Sequence, residues 1–128
     1  MGQQQLLLII LGVIIVGIAI AVGISMFSSG SVQSNRDGII NDLNNLAANA
    51  YQFRIRPTTM GGGGGAYTGY VVPQKLQTNS NGSYTTTAVA AASITLKGTS
   101  TQNATNTVTC VLDSTGALKS FTYAGDFQ

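Results

Sequence analysis

Apolar side chains fill the chain from Leu6 to Phe27 (LLLIILGVIIVGIAIAVGISMF) almost without interruption, and beyond Phe27 the pattern changes period twice. Ile39, Leu43, Leu46, Ala50 and Phe53 recur at intervals of four, three, four and three residues, one stripe of a 3.6-residue helix. Val32 continues that stripe one heptad earlier, and Asn35, Asp42, Asn45, Asn49 and Gln52 occupy the opposite face. Pro57 ends the pattern and pushes Arg56 out of helical geometry. One long helix is therefore predicted from near Gln3 to near Arg54. Its first half is apolar all round and its second half amphipathic, with a flexion expected at Ser28-Ser29-Gly30-Ser31.

Gly61 to Gly65 is a run of five glycines. No Lys-Ser/Thr follows it and no strand precedes it, so it is not a phosphate loop but a flexible or closely packed linker. Tyr67, Tyr70, Val71 and Val72 form a short extended piece closed by Pro73. The remainder alternates with a period of two. Asn81-Gly82 signals a turn before the Thr-rich segment 83–89. Segment 92–97 places Ile94 and Leu96 on one face, and 106–112 does the same with Val108, Cys110 and Leu112. Asp113-Ser114-Thr115-Gly116 reads as a turn with Gly in its last place, and 117–124 returns with Phe121 and Tyr123 on a shared face.

The expected fold class is α+β: a long N-terminal helix packed on a small C-terminal antiparallel sheet of about four strands arranged as a meander. A lone small sheet is marginal and needs a cover. The helical stripe supplies it, so the predicted head core joins Ile39, Leu43, Leu46, Ala50 and Phe53 to Ile94, Leu96, Val108, Cys110, Leu112, Phe121 and Tyr123. The chain then divides into an apolar helix (1–30), an amphipathic helix (31–56), a Gly-rich linker and loop (57–82) and a sheet head (83–128).

Composition narrows the function classes. The chain has 128 residues, no His, no Glu and 8% charged residues, with room for one small globular domain. Arg36, Arg54, Arg56, Lys75, Lys97 and Lys119 are scattered singly, so no basic stripe for nucleic acid exists. Asp37, Asp42, Asp113 and Asp126 are equally dispersed. Neither an acid–base pair nor a metal cluster can be read from any motif, so no catalytic residue, metal or cofactor is assigned, and no enzyme is expected.

The apolar run could be a signal peptide, a bilayer anchor or a helix buried in an assembly. A secretory signal has a basic start and an apolar region of roughly 7–15 residues. Here no Lys or Arg precedes the run, and Ala19-Ile20-Ala21 mimics a cleavage site from inside it. At about 1.5 Å per residue the run reaches about 33 Å, enough to cross a bilayer core. Orientation normally follows Lys/Arg on the cytoplasmic side, and the only nearby cation, Arg36, lies on the far side. That asymmetry fits a basic leader removed from before Met1, or a helix that ends inside a protein assembly. The residues committed to that surface are Leu6, Leu7, Leu8, Ile9, Ile10, Leu11, Val13, Ile14, Ile15, Val16, Ile18, Ile20, Val22, Ile24 and Phe27, preceded by Gln3, Gln4 and Gln5. Gly12, Gly17 and Gly23 interrupt it. Each costs about 1 kcal/mol relative to Ala, and they mark either ordinary membrane-helix glycines or a segment that can stretch or unwind.

A short polar start (Gly2-Gln3-Gln4-Gln5), a glycine-punctuated apolar helix and an amphipathic continuation resemble a type IV pilin, the subunit of bacterial and archaeal surface filaments. The resemblance covers the whole chain in outline and is specific in about the first thirty residues. It implies a prepilin peptidase that removes a leader, residence in the inner membrane before assembly, and dedicated assembly machinery. It further implies a helical homopolymer outside the cell whose core is the apolar half-helices and whose wall is the heads. Gln5 falls where most of these pilins carry a glutamate thought to pair with a neighbour's N-terminal amine; a glutamine can accept that bond without burying a carboxylate. Val22 stands where a helix-kinking proline is usual, and the paired cysteines of many pilin heads are absent. A bitopic, membrane-anchored minor pilin or pseudopilin-like component of a secretion or uptake machine is the alternative.

Three smaller features keep two readings each. Cys110 at an inward strand position is a buried hydrophobe or a redox site. Asn81-Gly82-Ser83 and Asn103-Ala104-Thr105 fit the N-glycosylation sequon, which also arises by chance in a Thr/Asn-rich segment. Tyr51, Phe53 and Phe27 are packing aromatics or a conduction path.

Overall fold

The computed structural model describes residues 2–128. Helix α1 (Gln3–Ile55) is followed by a 3-10 turn at Thr58–Met60, the short helix α2 (Gln74–Gln77) and four strands: β1 (Gly82–Val89), β2 (Ile94–Ser100), β3 (Thr107–Leu112) and β4 (Leu118–Ala124). A second 3-10 turn, Gly125–Phe127, follows β4. The strands form one antiparallel sheet in the order β1-β2-β3-β4, and α1 packs against it, an α+β arrangement. Helical structure is unbroken through Ser28–Ser31, so the expected flexion is not a break in α1. The chain divides into two compact units, the first ending at Gln33 and the second spanning Ser34–Gln128.

In the second unit the period-two pattern sets the sheet's two faces. Ile94, Leu96, Gly98 and Ser100 of β2, and Val108, Cys110 and Leu112 of β3, are buried beneath the helical stripe Ile39, Leu43, Leu46, Ala47 and Ala50. The other face is a Thr-rich surface: Thr85 stands opposite Lys97, Lys97 opposite Thr109 and Thr109 opposite Thr122. β-Branched hydroxyl side chains suit a strand and keep that face wettable with little charge. Helix and sheet approach closely at Gly98, where an added Cβ would lie 2.6 Å from Ile39 Cγ2.

Two of the predicted core residues depart from a buried position, and one lies outside it. Phe53 and Tyr123 are half-buried, and Phe121 is exposed. Strand β4 is an edge, and its pairing with β3 is shifted between Thr109 and Val111, where Ser120 takes a positive φ of 55°. Phe121 stacks on Tyr123 (6.4 Å between centroids), and the Arg36 guanidinium lies over Tyr123 (5.1 Å). The helix covers the central strands and leaves this edge open to solvent.

Several core residues had no counterpart in the sequence reading. Tyr67, Tyr70, Val72, Tyr84 and Phe127 are all buried. Residues 67–72 are not a strand; they lie against the helix, with Tyr67 Oη donating to Asp113 O (2.6 Å) and Tyr70 Oη to Asn49 Oδ1 (2.8 Å). Asn35, expected on the solvent face, is buried: its Nδ2 donates to Asn81 O (3.0 Å) and its Oδ1 accepts from Ser100 Oγ. The polar side of the amphipathic helix is thus a docking face for residues 67–84, held by side-chain amides and phenols.

The glycine run is a helix cap. An α-helix ends with carbonyls that lack intrahelical donors, and here Gly63 N donates to Phe53 O (2.8 Å), Gly65 N to Arg54 O (2.7 Å) and Gly64 N to Arg56 O (3.0 Å). The loop folds back so tightly that a Cβ on Gly63 would overlap the Ala66 carbonyl oxygen, and one on Gly62 the Arg56 carbonyl. Of the two linker readings, the closely packed one describes this segment. Gly63→Ala is expected to destabilise residues 34–128 by about 1–3 kcal/mol, as overpacking does, whereas Gly30→Ala, with nothing within 4 Å of its added Cβ, is expected to be neutral or slightly stabilising. Thermal melts of both variants check this.

Candidate functional site

The feature with no counterpart in an ordinary soluble domain is the first half of α1. Every described residue from 2 to 30 is exposed in the single chain. Leu6 is 63% exposed, Ile14 52% and Phe27 79%. Leucine and isoleucine here have good helix-forming neighbours and no Pro, so the backbone is regular although nothing from the chain's own fold covers the side chains. Monomers rarely expose contiguous apolar patches beyond a few hundred Å². This one runs round the whole helix for 22 residues and is long and apolar enough to cross a membrane.

The predicted interface residues lie in this segment. Gln3, Gln4 and Gln5 form the first turn of α1, with Gln5 N bonded to Gly2 O (3.2 Å), and all are exposed. Gly12, Gly17 and Gly23 are helical, and a Cβ on any of them would meet nothing within 4 Å. Neither backbone geometry nor packing within the chain requires glycine at these places.

In the second unit a polar cluster gathers around Asp42. Asp42, on the helix, accepts on its Oδ2 from Tyr84 Oη, Asn79 Nδ2 (2.8 Å) and Asn81 Nδ2 (3.0 Å), tying β1 and the preceding turn to α1. Burial by itself would raise its pKa, but these hydrogen bonds outweigh that and hold the carboxyl below its ordinary value. Tyr84 is pushed well above the ordinary phenol value by burial and by the Asp42 carboxylate. At the β3–β4 turn the Lys119 ammonium (2.8 Å) and the Thr115 hydroxyl hold Asp113 well below the usual carboxylate range.

A carboxyl with a depressed folded-state pKa contributes stability above its unfolded pKa and loses it as pH falls through the folded value. Stability of residues 34–128 is therefore expected to fall on acidification below about pH 4, and Asp42→Asn is expected to flatten that limb without removing it, because Asp113 titrates there too. Denaturant midpoints from pH 7 to pH 2 check the slope.

These groups bind fold elements together. Among the described residues no three His, Cys, Asp or Glu side chains gather as a metal site would need. A groove of about 360 Å³ beside Tyr70, Val72, Gln77 and Tyr84 contains no carboxylate, thiol or amine. Cys110 is completely buried, and burial pushes its thiol up to about 11, which leaves it a packing residue. Tyr51 packs beside Gly116 and Phe53 meets Tyr70 edge to face (5.4 Å), as packing aromatics do. Of the sequon asparagines, Asn103 is exposed and Asn81 is half-buried.

No family model, no curated protein and no solved structure matches the chain.

Proposed function

We propose that the chain is a structural subunit of an extracellular type IV pilus-like filament, polymerising through the apolar half of α1. The observation that carries this reading is the division of apolar surface. The head buries its own stripe beneath its own sheet, whereas Leu6 to Phe27 is left entirely uncovered. Burying about a dozen of those side chains among equivalent helices, at about 1.5–3 kcal/mol each, is worth tens of kcal/mol before entropy. Gly12, Gly17 and Gly23 fit the same reading, since a residue without a side chain lets a neighbouring helix approach the backbone closely. The unassembled subunit would hold the same segment in a membrane, and Gln3, Gln4 and Gln5 would hydrogen-bond across subunits once buried.

Shear fractionation of intact cells tests this. A filament subunit is released in quantity as long filaments, while the chain of a bitopic minor component stays in the membrane fraction after shearing. Recovery only with membranes would overturn the filament reading in favour of the bitopic one.

A further inference from the structure

The two sequons meet opposite fates in the fold. At Asn81 the nitrogen that a glycan would join is turned inward: Nδ2 donates to Asp42 Oδ2 (3.0 Å), and a Cβ added to Gly38 would lie 3.0 Å from Asn81 Cγ and Nδ2. A saccharide there would break the Asp42 cluster and collide with the helix. The other sequon sits on the turn between β2 and β3, where residues 101–105 are all exposed. Asn103 Oδ1 accepts from Thr105 N (3.0 Å) and Thr105 Oγ1 (2.8 Å), which leaves Nδ2 with no acceptor among the described residues. The turn is closed by backbone bonds, Asn106 N to Asn103 O (3.0 Å) and Ser100 N to Asn106 O (2.9 Å), and these do not use Nδ2.

We propose that Asn103 is an N-glycan acceptor and that Asn81 is not. The donor is a saccharide linked through its anomeric carbon to a lipid phosphate, the class of donor available on a membrane surface. Asn103 Nδ2 forms the new C–N bond to that carbon as the C–O bond to phosphate breaks. The lipid phosphate leaves with the electron pair, and one Nδ2 proton passes to a base of the transferase. Thr105 takes part through its hydroxyl, which already lies on Asn103 Oδ1 and fixes the amide's orientation. The modification places a bulky hydrophilic group on a turn whose own residues carry no charge, consistent with a head that faces solvent.

The inference rests on the surface location proposed above, so the test uses full-length chain collected from the cell surface of its own host. Trypsin cleaves after Lys75, Lys97 and Lys119 and so separates Asn81 (peptide 76–97) from Asn103 (peptide 98–119). Mass spectrometry is expected to find peptide 98–119 heavier by whole sugar residues in most copies and peptide 76–97 bare. Asn103→Gln and Thr105→Val should each return peptide 98–119 to its unmodified mass, while Thr105→Ser should retain the glycan. Bare 98–119 from surface material would overturn this proposal and leave the filament reading standing. Added mass that survives Asn103→Gln, or a glycan on peptide 76–97, would overturn it as well.

Discussion

Removal of residues 1–33 is expected to leave a soluble, folded monomer of residues 34–128 and to abolish polymerisation completely. Among the described residues every buried one lies at or beyond Asn35, so the deletion takes none of them from the core. It also removes the uninterrupted apolar surface that would otherwise drive association or membrane insertion. Polar tethers at both ends of the helical part that remains survive, Asn35 to Asn81 and Ser100 near one end and Arg54 Nη1 to Ser114 O (2.8 Å) near the other, as does the Asp42 cluster between them. Light scattering should give a single 34–128 chain at all concentrations, with a cooperative melt. An unfolded product would mean that the head depends on its neighbours and that the core described within one subunit is insufficient.

Leu46→Ala in the same fragment is expected to cost about 2–5 kcal/mol, the range for truncating a fully buried leucine. Leu46 is 1% exposed, within the stripe that lies on the sheet. The loss is a large share of the about 5–15 kcal/mol that holds a small domain together. Phe53→Ala, although it removes more atoms, is expected to cost less. Its ring is half-buried at the end of the stripe and meets Tyr70 by its edge. Urea titrations of the pair decide the order; equal costs, or less than about 1 kcal/mol for Leu46, would place the core elsewhere.

Periodicity made some of this fold legible and concealed the rest. The 39–50 stripe and the inward positions of β2 and β3 could be read directly, because a helix and a half-buried strand each repeat with a fixed period. Phe121 shares an alternation with Tyr123, yet alternation says nothing of which strand is the edge or where a bulge falls. Tyr67 and Tyr70 are single aromatics in a segment of no helical or strand period, and Tyr84 is the lone aromatic of a Thr-rich strand; their phenol hydroxyls find Asp113, Asn49 and Asp42 far away in sequence. Asn35 looked solvent-facing because its type is polar, while its partners Asn81 and Ser100 are distant. The glycine run carries a composition signal for flexibility. Only the carbonyls of Phe53, Arg54 and Arg56 reveal that it is a cap. The apolar surface at Leu6 to Phe27 was fully legible, since its length and lack of charge require no tertiary information.

The central claim is that this surface is covered by copies of itself. Cryo-electron microscopy of filaments sheared from intact cells tests it most directly. The expected reconstruction has residues 6–27 packed against equivalent helices in a continuous core, with residues 34–128 forming the outer wall. Particles of this chain in which residues 6–27 face detergent or lipid, or a filament whose core is built from the sheet heads, would contradict it.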